Sequence, residues 1–289
     1  RQRQMCIRDR YRGTCLNRTR HRYSEAMDSY FKRTGAHQYT ATQLTSGAWN
    51  VEEQHISPTL GLATHIIETD LHARRDDPMV IGNLKFDILG VVPIGAYDVD
   101  VHVIRPGRTI ELVEATLNHG ERTIVIARAW LMKPGDSSSV AGTALSQLPP
   151  REHMEPYAPH IDWQGDYLKT YEGFRTQQEP GRAQVWQRTH ADLVDEPYSA
   201  LARSAGMLDV ANGLSVRQDP TQVAFPNVDL DIHYFRVPDF AHQPGQPSDW
   251  QGYDVTVSFG DGALGLTHTW VHDQHGPFAA VTQCLTVRP

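Results

Sequence analysis

The sequence predicts an α+β protein made of two similar units, each a long helix wrapped by an antiparallel sheet. Three observations lead there. Residues 97–101 (YDVDV) return as residues 253–257 (YDVTV), an offset of 253 − 97 = 156, and His119-Gly120 returns as His275-Gly276 at the same offset. Lys133-Pro134 returns as Arg288-Pro289 at 155, so the register holds over nearly forty residues. Each copy also runs in one order: a strand, a helix, then a meander of four strands. A meander of that length can curl around the single helix and bury its apolar face. Two copies are too few for a solenoid, which needs at least three stacked units.

Residues 1–26 come before this plan. They carry eight Arg against Asp9 and Glu25, a net of +6, with neither helical nor strand periodicity, and are expected to be disordered. A basic arm of this kind can meet nucleic acid or an anionic surface. The stretch also has the character of translated adapter sequence, with Met27 as the natural first residue. Without it the formal charge passes from −7 to −7 − 6 = −13, so the folded body is acidic and no nucleic-acid partner is expected.

The first unit is expected over residues 27–134. Residues 39–46 (YTATQLTS) alternate as a strand does, and Ser57-Pro58 supplies an N-cap and a first-turn proline for a helix running to about Arg74. Residues 83–92, 96–107, 109–120 and 122–133 are β-rich and several close on turn residues such as Pro-Gly and Asn-His-Gly. Residues 135–180, rich in Ser, Pro, Gly and charge, are expected to be a connecting segment with one short helix. The second unit, residues 181–289, repeats the plan with a strand at 183–193, a helix at 197–217 and strands at 225–237, 253–262, 263–276 and 277–287. A loop at 239–252 interrupts it.

The helix over 197–217 organises the second unit. Leu201, Ala205, Leu208, Ala211 and Leu214 recur at helical spacing and form a stripe that would be buried. Asp209 and Asn212 lie three apart beside that stripe, so they leave one side of the helix together. Two readings stay open from spacing alone: a solvated polar face, or a shared niche under the sheet where a carboxylate could do chemistry.

Composition narrows the class. The mean hydropathy is −0.48 and no run of about 18 apolar residues occurs, so no membrane span is expected, and no secretory signal pattern is seen. The expected compartment is the cytoplasm. Cys6, Cys15 and Cys284 are too few and scattered for a disulfide framework, and neither CxxC nor HExxH occurs, so no metal site and no cofactor are expected. The six tryptophans do not cluster in sequence and are expected to pack in the core or at an interface.

Four motifs, in order, carry a resemblance. They are residues 206–213 (GMLDVANG), residues 225–230 (FPNVDL), His272-Asp273 with Gly276-Pro277, and Thr282-Gln283. Over nearly all of residues 27–289 the chain resembles the thioesterase-like superfamily, close to the acyl-CoA thioesterase II group, whose fold is the double hotdog. The resemblance implies hydrolysis of an acyl-CoA to the free acid and coenzyme A. It further implies that Asp209, Asn227 and Gln283 hold the hydrolytic water, and that the protein forms a homodimer or higher homo-oligomer.

The chemistry needs no metal or covalent nucleophile, because a thioester is already activated and requires a base or an aligned water plus donors for the oxyanion. The chain departs from the resemblance in two places. Several family members have a hydroxyl residue where Asn227 stands. Family members also often have His-Gly-Gly-Pro leading into the first helix, where this chain has His55-Ile56-Ser57-Pro58. His55 reads either as a contact to the substrate carbonyl or as a structural histidine, and Asn212 as a further substrate-binding residue. Arg74 and Arg75 read as charges that complement the helix end, with coenzyme A phosphate as the other reading. No Asp-x-Asn-Pro-x-His segment of the hotdog hydratases occurs. The alternative to an enzyme is an acyl-thioester-binding protein of the same fold that keeps the tunnel without the chemistry.

Overall fold

The computed structural model describes residues 29–240 and 249–289; the arm expected over residues 1–26 and the middle of the 239–252 loop lie outside them. The first half of the chain contributes β1 (Ser29–Gly35), β2 (Gln38–Ala41), α1 (Ile56–Arg74), β3 (Val80–Ile88), β4 (Ala96–Arg105), β5 (Ile110–His119) and β6 (Arg122–Met132). Then come β7 (Glu155–Tyr157), α2 (Asp166–Lys169), β8 (Tyr171–Glu179), β9 (Arg182–Thr189) and β10 (Asp192–Val194). The chain ends with α3 (Ala200–Ala205), α4 (Ala211–Leu214), β11 (Asp229–Tyr234), β12 (Gln251–Phe259), β13 (Leu264–Asp273) and β14 (Gly276–Thr286).

Among the described residues these strands form one sheet in the order β10-β1-β2-β4-β5-β6-β3-β11-β14-β13-β12-β9-β8-β7. The series β2-β4-β5-β6-β3 and β9-β12-β13-β14-β11 have the same connectivity, so the repeat in sequence is a repeat in topology. The two series meet where β3 pairs antiparallel with β11, and there Leu84 faces Ile232 and Phe86 faces Leu230, all four fully buried. The repeated tyrosines show why the motif recurs. Tyr97 and Tyr253 point inward; the Tyr97 hydroxyl meets Gln54 and the Pro93 carbonyl beside the start of α1, while that of Tyr253 donates to the Met207 carbonyl at 2.7 Å, just after α3. Each landmark ties its strand to the chain that flanks its unit's helix.

The α1 helix is apolar around most of its circumference, as a helix enclosed by a sheet must be, and residues 57–67 are all buried. Its start differs from expectation. The helix begins at Ile56 with His55 as the N-cap, and His55 Nδ1 accepts the Ser57 amide at 3.2 Å. Ser57 is therefore inside the first turn, which frees its hydroxyl for another partner. At the other end Arg74 and Arg75 both bind the buried Glu111 carboxylate, at 2.8 and 3.0 Å, so these guanidiniums neutralise an internal charge.

The single helix expected over 197–217 is broken into α3 and α4. Tertiary hydrogen bonds replace the helical ones across the break: Tyr167 donates to the Gly206 carbonyl at 2.8 Å and Tyr253 to that of Met207. Ser199 caps α3 by accepting the Ala202 amide. The α1 and α3 helices touch backbone to backbone at Gly61 and Gly206, where a Cβ on Gly61 would lie 2.7 Å from the Gly206 Cα. The break turns residues 207–210 out of the helical path and aims Asp209 at the strands.

The 135–180 segment also differs from expectation. It contains β7, α2 and β8, and β8 forms a hairpin with β9 across Gly181, whose positive φ of 84° suits only glycine in a turn whose carbonyl receives the Val257 amide. The start of the second unit's sheet therefore lies upstream of residue 181. β8 reads as YEGFRTQQE and is polar on one face and at its far end, so its strand periodicity is weak in sequence.

Candidate active site

The break between α3 and α4, the turn before β11, the last strand and the N-cap of α1 converge on one carboxylate. Asp209 is 3% exposed, and its Oδ1 accepts two amides: Asn227 Nδ2 at 2.6 Å and Gln283 Nε2 at 3.0 Å. The second donor of each amide also has a partner, the Asp229 carbonyl for Asn227 (3.0 Å) and the Asp209 carbonyl for Gln283 (3.3 Å). The two amides thus grip the carboxylate itself. The Asp209 backbone amide donates to Ser57 Oγ at 3.1 Å, which ties the turn to the first unit.

Oδ2 is the carboxylate oxygen without an amide donor, and it lies 3.8 Å from His55 Nδ1. This contact is not an ion pair. Burial pushes the imidazolium of His55 down to about 3, so the ring is neutral near pH 7. Its Nδ1 accepts from the Ser57 amide, which leaves the hydrogen on Nε2 and makes His55 a neutral donor. The Tyr167 ring, 4.5 Å away and tilted by 38°, holds the imidazole against α1.

Burial also pushes the Asp209 carboxyl up to about 7, against the opposing pull of the Asn227 and Gln283 hydrogen bonds. Desolvation wins because two neutral amides stabilise the anion less than the lost water did. A carboxylate that titrates near neutrality is matched to proton transfer at that pH.

His55, Asp209, Asn212 and Asn227 line one cavity of about 470 Å³, and Gln283 stands behind Asp209. Asn212, 8% exposed, is on the same wall as Asp209 without a hydrogen bond to it. Of the residues singled out from the sequence, four face the cavity and the fifth supports one of them.

Sequence reasoning missed the rest of the wall. Trp49 and Trp163, expected only as packing, stand edge-on at 5.0 Å and line the cavity with Tyr157 and Leu168. Three of these four come from the segment expected to be a connector. Its aromatic residues Tyr157, Trp163 and Tyr167 were the available signal, since a solvated linker has no use for bulky rings. Ser57 was visible only as a cap, because its link to Asp209 spans the two units.

Both halves of the chain match known protein families. The family model of the acyl-CoA thioesterase C-terminal domain matches residues 141–287, and that of the N-terminal domain matches residues 45–132. The chain belongs to the acyl-CoA thioesterase family. No curated protein sequence matches it.

Among solved structures, the thioesterase-family chain is similar to a hot dog fold protein of unknown function from Alicyclobacillus acidocaldarius. The identity is 13%, the TM-score is 0.68, and 89% of this chain and 95% of the other are covered. It is also similar to acyl-CoA thioesterase II from Mycobacterium marinum, at 15% identity and a TM-score of 0.63 over 89% and 95% of the two chains. At such identities these likenesses show the fold, the double hotdog expected from the repeat.

Proposed function

We propose that this thioesterase-family chain hydrolyses an acyl-CoA to the free acid and coenzyme A, with Asp209 as general base. The observation that carries the reading is the asymmetry of the carboxylate, one oxygen held by two amides and the other free beside a neutral histidine at the cavity wall. In the proposed reaction Asp209 Oδ2 takes a proton from water as the water oxygen bonds to the thioester carbonyl carbon. The tetrahedral oxyanion accepts from His55 Nε2–H. Collapse of the intermediate breaks the carbon–sulfur bond, and the proton held by Asp209 passes to the departing thiolate. Asn227 and Gln283 act by fixing the carboxylate, since their N–H groups already bond to it and to backbone.

One observation favours the alternative of thioester binding without hydrolysis: with both amides engaged, neither offers a donor to the substrate carbonyl. A thiol-release assay over a series of acyl chain lengths, run beside a binding measurement with the same thioesters, separates the two. Turnover that disappears in Asp209→Asn supports hydrolysis. Binding with no thiol release from the unaltered protein at any chain length supports the alternative.

A further inference from the structure

Behind Asp209 lies a polar patch that the proposed reaction does not use. Gln283 is fully buried; both of its N–H donors reach Asp209, yet its Oε1 has no hydrogen-bond partner among the described residues. The direct cross-strand neighbour of Gln283 is Thr267, also fully buried, whose Oγ1 is likewise unpartnered. Thr269, two residues further along β13 and on the same face, is fully buried with an unpartnered Oγ1 as well. Directly opposed side chains in an antiparallel pair stand about 4.5–5.5 Å apart at Cβ and diagonal ones about 7–8 Å, so Thr267 faces Gln283 and Thr269 is its diagonal neighbour on the same face.

The surroundings of this patch are apolar. Val257 is the cross-strand neighbour of Thr267 on β12, Val255 that of Thr269, and Val281 lies on the other side of Thr269, all buried. Packing alone gives no reason for hydroxyls here, because valine has nearly the shape of threonine and suits a strand as well. A buried polar group left unpaired is destabilising, because it has given up water and gained no partner. One acceptor and two hydroxyls match the two donors and two acceptors of a single water molecule.

We infer that Thr267 and Thr269 are positioning residues that hold the Gln283 carboxamide, and through it the Asp209 carboxylate, by way of one bound water shared with Gln283 Oε1. The orientation of that amide matters. Turned by half a rotation, it would present its carbonyl oxygen to Asp209 Oδ1, acceptor against acceptor. A partner for Oε1 at the rear keeps the N–H edge forward. No charged group takes part: amides and burial are the influences on Asp209, the facing histidine, His55, is neutral, and the row around the threonines is valine.

The inference rests on the proposed hydrolysis for its kinetic arm and is independent of it in its spectroscopic arm. Thr267→Val, Thr269→Val and Thr267→Ser are compared with the unaltered protein. The first arm is thiol release across pH, and the second is the Asp209 titration followed by carboxyl carbon NMR. Thr267→Val should lower kcat by about three- to tenfold with KM little changed, and should raise the Asp209 midpoint by up to about one pH unit, the scale of one weakened hydrogen bond. Thr269→Val should do the same to a smaller degree, and Thr267→Ser should restore both. If the unaltered protein releases no thiol, the hydrolytic reading fails and the NMR midpoint alone decides the inference. An Asp209 midpoint unmoved in both valine variants, with unchanged or raised melting temperature, overturns it. Thr269→Val keeps the test open if Thr267→Val does not fold.

Discussion

Replacing Asp209 by Asn should make the protein more stable at pH 8 while removing its turnover. Asp209 begins at 3.8 when solvated and is pushed up to about 7 by burial, so the folded state binds its proton more tightly than the unfolded state does. The stability that this preference contributes is fully present below about pH 4 and is lost as pH rises through 7. Three pH units correspond to about 4 kcal/mol at 1.36 kcal/mol each, the penalty the folded protein carries once the carboxylate is ionised. Asn removes that penalty. Its Oδ1 can accept the same two amides, and its uncharged Nδ2 replaces the oxygen that stands 3.8 Å from His55 Nδ1. For a chain of this size, 4 kcal/mol corresponds to a rise in melting temperature of roughly 5–10 °C. Turnover should fall by about 10²- to 10⁴-fold, the scale for loss of a general base. Thermal melts of both proteins at pH 4 and pH 8, with thiol release measured on the same preparations, test this. A variant that melts below the unaltered protein at both pH values would refute the reasoning, because Asp209 would then be a structural anchor.

Other expectations follow from the same geometry. Asn227→Ala and Gln283→Ala each remove a hydrogen bond to the ionised form, so each should shift the acid limb of the pH–rate profile upward. Their effects should be non-additive with Asp209→Asn, which a double-mutant cycle on kcat measures. His55→Ala should lower kcat by about 10²- to 10³-fold, as loss of an oxyanion donor does, and leave the shape of the profile unchanged above pH 5, because His55 is already neutral there. Gly61→Ala should destabilise by about 1–3 kcal/mol in denaturant melts, since its Cβ would lie 2.7 Å from the Gly206 Cα and 2.9 Å from the Ala202 carbonyl oxygen. Gly206→Ala, whose Cβ would meet its nearest neighbours at 3.4 Å, should cost distinctly less.

The duplication was legible because its landmarks do structural work twice over. Tyr97 and Tyr253 each anchor a strand to the chain beside its unit's helix, so the same residue type recurs at the same place in both units. The split of α3 from α4 was not legible: the apolar spacing of residues 201–214 is helical throughout, and the break depends on tyrosines that arrive from residues 167 and 253. Propensity is a local signal, and here tertiary hydrogen bonds outweigh it. β8 was hidden because a half-exposed strand next to the sheet's edge alternates weakly, and the cavity wall from residues 157–168 was hidden with it. Asp209 stood out with Asn212 by its spacing beside the helical stripe, but Asn227 and Gln283 were singled out only through resemblance, since only folding brings residues so far apart in sequence to within hydrogen-bonding distance. What each amide touches, the carboxylate, is a matter of side-chain geometry that motifs do not encode.

The central claim is that a buried carboxylate at position 209 provides the base for thioester hydrolysis. The measurement that reaches it most directly is the pH dependence of kcat/KM for thiol release from an acyl-CoA between pH 5 and pH 9. The account predicts a rate that climbs tenfold per pH unit at the acid end, bends near pH 7 where Asp209 ionises, and stays level above it. A rate that is flat across the whole range, or that keeps climbing in proportion to hydroxide through pH 9, would contradict it.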